Sequence, residues 1–185
     1  MDKIWQMWSG GVATTTVDDI IKICEQYPPK DASLGFDGNT KNEEYRRSEL
    51  RWVGDNVQLR NLMYDFAVDA NRNAFGFDIN YLKEIQYTIY KSEDNGKYDW
   101  HHDTFWGNPT KNDRKISVII QLSDPEDYEG GQFEFESCWE QPLKGDLTKK
   151  GTVIAFPSFI LHRVTPVTKG VRKSLVGWVE GPKFR

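Results

Sequence analysis

The chain has 185 residues, 28 % of them charged, and a formal net charge of −4. This length can bury the core of one domain, and the acidic balance argues against non-specific nucleic-acid binding, which needs a basic surplus. The absence of an apolar run of ~20 residues or of a signal-peptide pattern predicts one cytoplasmic domain over residues 1–185 without membrane contact.

The N-terminal part of the chain shows one helix and then a long polar stretch. Thr16 followed by Asp19 predicts a helix start, because this spacing is typical of a capping box. Apolar residues after Asp19 supply a buried face, and the prolines at 28 and 29 end the helix. The polar, glycine-containing residues 30–48 predict a long surface loop, a kind of segment that is often functional.

A second helix is predicted from Asp55 or Asn56 to about Ala70. Apolar residues recur there at steps of three and four, as on one face of a helix.

From residue 79 onwards the pattern changes to short strands. Residues 79–90 are rich in β-branched and aromatic types, and further candidates are 115–122, 131–136, 152–156 and 171–179. Turns are predicted at Gly130-Gly131, Lys144-Gly145-Asp146, Lys150-Gly151 and Lys169-Gly170. Helices followed by many short strands predict an α+β chain that is mainly β, with a jelly-roll sandwich or barrel.

The chain contains three histidines, and two of them lie beside an acidic residue in the run His101-His102-Asp103. On a strand, His101 and Asp103 point to the same face, whereas His102 points to the other. His162 on an adjacent strand would complete two nitrogens and one carboxylate, the ligand set that non-haem Fe(II) oxygenases use. A His-x-Asp pair alone is a weak signal, and the same ligands also accept Mn, Co, Ni or Zn.

The surroundings of His162 carry a family resemblance. Residues 162–172 read His-x-Val-x-Pro-Val-Thr-x-Gly-x-Arg, and residues 130–133 read Gly-Gly-Gln-Phe. Over residues 80–181 the chain resembles the 2-oxoglutarate/Fe(II) dioxygenase superfamily in its prolyl-4-hydroxylase-like branch, and it is similar to the PKHD-type hydroxylases. The resemblance implies a double-stranded β-helix, or jelly roll, with N-terminal helices packed on one sheet.

The resemblance also implies the metal and the cosubstrates. His101, Asp103 and His162 would hold Fe(II), with 2-oxoglutarate and O2 as cosubstrates and ascorbate as an optional addition.

Further residues would bind 2-oxoglutarate. Arg172 stands where the family places the base that pairs with the distal carboxylate, and a guanidinium suits this task because it binds carboxylates bidentately. Ser174, on the same strand face, and Tyr90 would add contacts, with Ser117 a weaker candidate.

By this resemblance residues 79–181 form the catalytic core, and residues 1–78 supply helical support and a substrate-side loop. The expected reaction is hydroxylation of a C–H bond, with a prolyl residue of a peptide or protein as the leading substrate. The element Arg46-Arg47-Ser48 is similar to an Arg-x-Ser element beside the substrate cleft of relatives. Two alternatives stay open: a hydroxylase of a free amino acid or other small molecule, and a non-catalytic metal-binding jelly-roll protein. The oligomeric state is also open.

Overall fold

The structure, a computed structural model, describes residues 4–32, 42–107, 109–136 and 140–185. Most regular elements in these residues are strands. In chain order they are β1 (Gln6–Trp8), α1 (Thr14–Glu25), β2 (Lys30–Asp31), β3 (Arg46–Arg47), β4 (Glu49–Trp52), α2 (Val57–Ala70), β5 (Tyr81–Lys91), β6 (Lys97–His101), β7 (Asn112–Gln121), β8 (Tyr128–Gly130), β9 (Phe133–Phe135), α3 (Lys144–Thr148), β10 (Val153–Pro157), β11 (His162–Val164) and β12 (Val167–Pro182).

The strands form two antiparallel sheets. The larger sheet has the order β1-β10-β7-β12-β5-β4-β2, with β8 paired to the start of β12. The smaller sheet has the order β3-β6-β11-β9. The mainly β architecture with a jelly-roll core is therefore confirmed.

Helices α1 and α2 cover the outer face of the larger sheet. Alternate residues of the long strands point to this face, and they pack with the apolar faces of both helices in one buried core. Its members include Val17, Ile20, Leu59, Met63, Ile85, Tyr87, Ile116, Val118, Ile120 and Leu175. Burial of each such aliphatic side chain stabilises the fold by about 1.5–3 kcal/mol, and the predicted packing of helices on one sheet is confirmed.

A second core lies between the two sheets. The larger sheet contributes Tyr90, Ile119 and Phe156, and the smaller sheet contributes Phe133 and Val164. The inner face of the larger sheet also carries several buried polar residues. The polar part of this inner face is where the candidate site lies.

The two helix predictions had different outcomes. The second helix is confirmed, because Asn56 precedes α2 and its side chain accepts a hydrogen bond from the Leu59 backbone N–H at 3.0 Å. The capping role of Thr16 was wrong: α1 begins at Thr14 after Ala13, without a side-chain cap. Thr16 thus lies inside the first turn of α1. A threonine near the start of a helix locates the first helical residue only to within a few positions.

Two predicted turns were also wrong. Gly170 lies inside β12, where its φ of +69° lets the strand continue past the Asp127 carbonyl oxygen, which a Cβ would approach to 1.9 Å. Lys144-Gly145-Asp146 opens the short helix α3.

The predicted loop over residues 30–48 contains β2 and β3, and its part at 33–41 lies outside the described residues. No helix in the described part of the chain is long and apolar enough to span a bilayer.

Candidate metal centre

The two sequence-predicted histidine ligands meet across neighbouring strands. His101 ends β6, His162 begins β11, and the two residues are paired directly in the antiparallel register. Directly opposed side chains of such a pair project to the same side of the sheet. The ring centroids lie 4.2 Å apart, and both side chains are buried. The expectation that a distant histidine comes from an adjacent strand agrees with this geometry.

Asp103 reaches the same place by a different route from the predicted one. The strand ends at His101, so Asp103 lies beyond β6, where its backbone N–H donates to the Ser158 carbonyl at 2.7 Å. Its carboxylate oxygens lie 3.8 Å from His101 Nε2 and 3.6 Å from His162 Nε2. The ligand atoms of all three residues lie within 4.8 Å of one another, which is the spacing of groups that share one ion.

Backbone carbonyls determine which nitrogen of each imidazole faces the cluster. His101 Nδ1 contacts the Asp99 carbonyl at 2.7 Å, and His162 Nδ1 contacts the Ile160 carbonyl at 2.8 Å. A carbonyl only accepts, so Nδ1 carries the proton and Nε2 presents a lone pair. Burial lowers the pKa of both imidazoles, more strongly for His101, and keeps them neutral.

The carboxylate is held in its ionised form. Burial acts to raise the pKa of Asp103, but His162, His101, Arg114 and the Ser117 hydroxyl together lower it to about 2. Ser117 Oγ donates to Asp103 Oδ2 at 2.6 Å and contacts Ser158 Oγ at 2.9 Å. Ser117, expected as a weaker 2-oxoglutarate contact, thus orients this carboxylate.

The donor set fits Fe(II). Two neutral imidazoles and one ionised carboxylate are the deprotonated ligands that a divalent metal requires, and they lie together on one side of a pocket. The hydrogen bonds behind each ligand are the supporting contacts that fix its orientation.

Arg172 lies in the same pocket and has an unusual environment for a buried cation. Its side chain is 4 % exposed, and its guanidinium carbon lies 5.7 Å from the ring centroid of Tyr90, its partner across β5 and β12. Within the described part of the chain, none of the ion pairs within 4 Å involves this guanidinium. A buried charge without a counter-ion is costly, so the site favours an anionic ligand.

The structure brings the other predicted contacts to the same pocket. Tyr90 and Ser174 line it beside Arg172, and burial raises the pKa of the Tyr90 phenol. Trp178 lines the pocket as well, while His102 lies outside the cluster and contacts the ring of Trp106 at its edge. This position agrees with the expectation that His102 is not a ligand, but strand alternation does not explain it, because β6 ends at His101.

Tyr98 and Arg46 are neighbours of the cluster that the sequence did not single out as iron-side residues. The Tyr98 ring stacks on His101 at 3.4 Å and 13°, and the Arg46 guanidinium carbon lies 4.2 Å from the Tyr98 ring centroid. Three positions separate Tyr98 from His101, so simple alternation puts them on opposite faces. A bulge in β6 opposite β11 corrects the parity, and no local sequence signal marks it.

Two antiparallel sheets that enclose a buried His-Asp-His group, with an unpaired arginine in the same pocket of the described chain, define a jelly-roll protein of the non-haem iron oxygenase class. Residues 85–180 match the 2OG-Fe(II) oxygenase superfamily. This match covers more than half of the chain, and the protein belongs to that superfamily.

Proteins with similar sequences include PKHD-type hydroxylases. A PKHD-type hydroxylase of Synechococcus sp. (strain CC9311) is 38 % identical over 96 residues, which are 51 % of this chain and 41 % of that relative. The chain therefore spans about two fifths of the length of this relative. A PKHD-type hydroxylase of Prochlorococcus marinus is 29 % identical over 168 residues, covering 86 % of this chain and 72 % of the relative.

Solved structures share the fold over nearly the whole chain. A viral collagen prolyl hydroxylase from Paramecium bursaria Chlorella virus-1, in complex with 2OG, superposes with a TM-score of 0.73 at 20 % identity and covers 97 % of both chains. A Trichoplax adhaerens prolyl hydroxylase, bound to a peptide fragment of the hypoxia inducible factor oxygen degradation domain, gives 0.73 at 14 % identity over 96 % of this chain and 84 % of that one.

Proposed function

We propose that this chain is a Fe(II)- and 2-oxoglutarate-dependent dioxygenase that hydroxylates a C–H bond of its substrate. One observation carries the proposal: a buried His-Asp-His group, whose imidazole Nδ1 atoms contact backbone carbonyls, shares a pocket with a buried arginine that has no carboxylate partner among the described residues. Either feature alone has ordinary structural explanations. Together they supply a metal position and an anion position, which an oxo-dicarboxylic acid cosubstrate requires.

In this proposal His101 Nε2, Asp103 and His162 Nε2 hold the iron. When bound, Fe(II) supplies the redox chemistry that couples decarboxylation of the oxo acid with O2 to oxidation of a C–H bond. The protein orients the ligands through Ser117 and the backbone carbonyls.

Arg172 is proposed to bind the distal carboxylate of 2-oxoglutarate. The guanidinium keeps its charge in the buried pocket and forms paired hydrogen bonds to a carboxylate. Tyr90 and Ser174 flank it and offer two hydroxyl donors. Because none of the ion pairs among the described residues involves Arg172, the cosubstrate would provide the missing counter-charge.

For the substrate we propose a prolyl residue in a polypeptide. The similarity to proteins named prolyl hydroxylases supports it, one of them bound to a peptide. The segment that holds Arg46 and Ser48, which are joined by a 3.2 Å hydrogen bond, borders the metal pocket because Arg46 lies over the ring of Tyr98 in the pocket wall, and we propose that the polypeptide lies along it. A location in the cytoplasm stays a prediction.

The test is anaerobic addition of Fe(II) and 2-oxoglutarate to the protein, followed by absorbance spectroscopy. We expect a weak metal-to-ligand band in the visible range, and succinate formation once O2 is admitted. Mass spectrometry of proline-containing peptides, with free proline in parallel, then looks for a gain of one oxygen atom. Absence of both the band and uncoupled succinate formation would contradict the proposed dioxygenase activity. Addition of oxygen to free proline alone would favour the small-molecule alternative.

A further inference from the structure

Gln121, on the inner face of β7, is a buried amide with only half of its hydrogen-bonding capacity used. The residue is 3 % exposed, and its Nε2 donates to the hydroxyl of Tyr128 at 2.7 Å. Its Oε1 is buried, and no donor among the described residues reaches it. Buried polar atoms of side chains nearly always have partners, so an orphaned amide oxygen beside a ligand pocket calls for an explanation.

The strand register puts this amide beside the proposed anion site. Gln121 is the direct partner of Ser174 across β7 and β12. Paired residues project to the same face of a sheet, and Arg172, two residues before Ser174, is the diagonal neighbour of Gln121 on that face. Both Arg172 and Ser174 line the metal pocket. The amide therefore lies beside the two residues of the pocket that are proposed to bind the distal carboxylate.

The two ends of the amide have opposite chemistry, and a carboxylate only accepts hydrogen bonds. In the observed orientation the NH2 group faces the Tyr128 hydroxyl, and the oxygen has no partner among the described residues. A half-turn of the amide exchanges the two atoms without a change of shape. The Tyr128 hydroxyl, which can donate as well as accept, then donates to Oε1, and Nε2 takes the buried position in which the oxygen has no partner among the described residues.

We propose that Gln121 donates a hydrogen bond from Nε2 to the distal carboxylate of 2-oxoglutarate, and that Tyr128 is the positioning residue that holds the amide in this orientation; this inference rests on the proposed function. With it the carboxylate is recognised from two strands, by the Arg172 guanidinium on β12 and by the amide on β7. Every polar atom of the amide then has a partner.

Tyr128 is itself held close to Arg172 by the turn after β8. Gly131 has a φ of +57°, and a Cβ there would lie 3.0 Å from Arg172 Cδ and 3.4 Å from Tyr128 Cδ2. The glycine thus leaves room for both side chains, and Tyr128 is buried at 7 % exposure. Its hydroxyl has a defined position from which to orient the amide.

The experiment compares two oxo acids on the Fe(II)-loaded protein under anaerobic conditions, with dissociation constants from calorimetry or from the visible band. 2-Oxoglutarate carries the distal carboxylate, whereas 2-oxobutyrate has the same oxo-acid head and ends in a methyl group. We expect Gln121→Met to weaken 2-oxoglutarate roughly ten- to a hundredfold, since a hydrogen bond to a charged group is lost. Binding of 2-oxobutyrate should stay within about twofold.

Three further variants sharpen the comparison. Tyr128→Phe, which leaves Gln121 in place without its orienting hydroxyl, should give a smaller loss that is again confined to 2-oxoglutarate. Gln121→Glu, of nearly the same shape, should weaken 2-oxoglutarate at least as much as the Met variant, and it serves if the Met variant does not fold. Gln86→Met removes another buried amide of this sheet, one whose Oε1 is bonded by Arg46 and Thr88, and should leave the ratio of the two constants unchanged.

Equal losses for both oxo acids, or an unchanged ratio in the Gln121 variants, would overturn the role of Gln121 and leave the dioxygenase standing. Failure of the unaltered protein to bind 2-oxoglutarate would instead overturn the proposed function and this inference with it.

Discussion

The two faces of the larger sheet are built from alternate residues of the same strands and have opposite characters. On β12, Leu175 points to the helices and is fully buried in the apolar core, while Ser174 and Arg172 point to the metal pocket. On β7, Ile120 faces the helices, and Gln121 faces inwards. Adjacent residues of one strand therefore belong to different environments: one lies in the apolar core and the next faces the metal pocket.

This contrast separates stability from chemistry along one strand. The outer face gains free energy from burial of apolar surface, whereas the inner face holds polar groups whose burial is costly unless they are paired. The buried polar groups of the inner face are therefore expected to bind a ligand or a metal ion. Substitutions on the outer face should therefore lower the free energy of unfolding and leave ligand affinity unchanged. Substitutions on the inner face should weaken ligand binding and leave the free energy of unfolding nearly unchanged.

The largest expected effect is that of His162→Ala. Removal of one of two nitrogen ligands should abolish the visible band and succinate formation, while circular dichroism keeps the wild-type strand signal. His102→Ala is the matched control, because this histidine lies outside the cluster, against the edge of Trp106. Retention of the band in His162→Ala would remove His162 from the metal site.

Arg172→Ala should raise the 2-oxoglutarate requirement steeply. An unmatched partner of a buried charge pair typically costs about 2–5 kcal/mol, which corresponds to roughly thirtyfold to several-thousandfold in the Michaelis constant for 2-oxoglutarate. Arg172→Lys should restore part of the affinity, since the charge remains and the paired geometry does not. An unchanged constant in the alanine variant would put the anchor elsewhere.

Leu175→Ala tests the other face of the same strand. Loss of a fully buried leucine should lower the free energy of unfolding by about 2–5 kcal/mol, measured in urea, with unchanged affinity for 2-oxoglutarate. Ser174→Ala, one position away, should show the reverse pattern: near-native stability and weaker 2-oxoglutarate binding. If both variants changed both quantities equally, the separation of the two faces would not hold.

Ser117→Ala should have the smallest of these effects. The Asp103 carboxylate loses the hydrogen bond that orients it, and loss of such a supporting contact typically lowers metal affinity about ten- to a hundredfold. The measurement is a competition titration with a chelator. Ser123→Ala is the matched control. Ser123 lies just beyond the end of the same strand, its hydroxyl bonds to backbone groups, and its loss should leave the metal affinity at the wild-type value.

Much of the metal site is predictable because its signals are local. His162 and Arg172 belong to one short motif, and the pairing of a His-x-Asp element with a distant histidine is a known pattern of iron sites. Helix α2 with its Asn56 cap and strand β5 follow from periodicity and capping within their own residues. The strand face shared by Arg172 and Ser174 follows from the two-residue period of a strand.

Other parts were missed because they depend on contacts between distant segments. Asp103 does not share the strand of His101; the carbonyl of Ser158, far along the chain, binds its backbone N–H. Short strands such as β3 have too few residues for a periodic signal, and they gain their structure from the strand beside them.

Local motifs, together with the family resemblance that they carry, thus single out the residues proposed to hold the iron, since the period of a strand and the ligand preference of a metal depend on a few neighbouring residues. Only the tertiary structure decides what surrounds them: Tyr98 against His101 through a bulge in β6, Ser117 against Asp103, and Gln121 against Tyr128 beside Arg172. The physical reason is that strand register and bulges are set only when separate strands pack together. The free energy that favours one register comes from contacts along the whole sheet and not from a single strand.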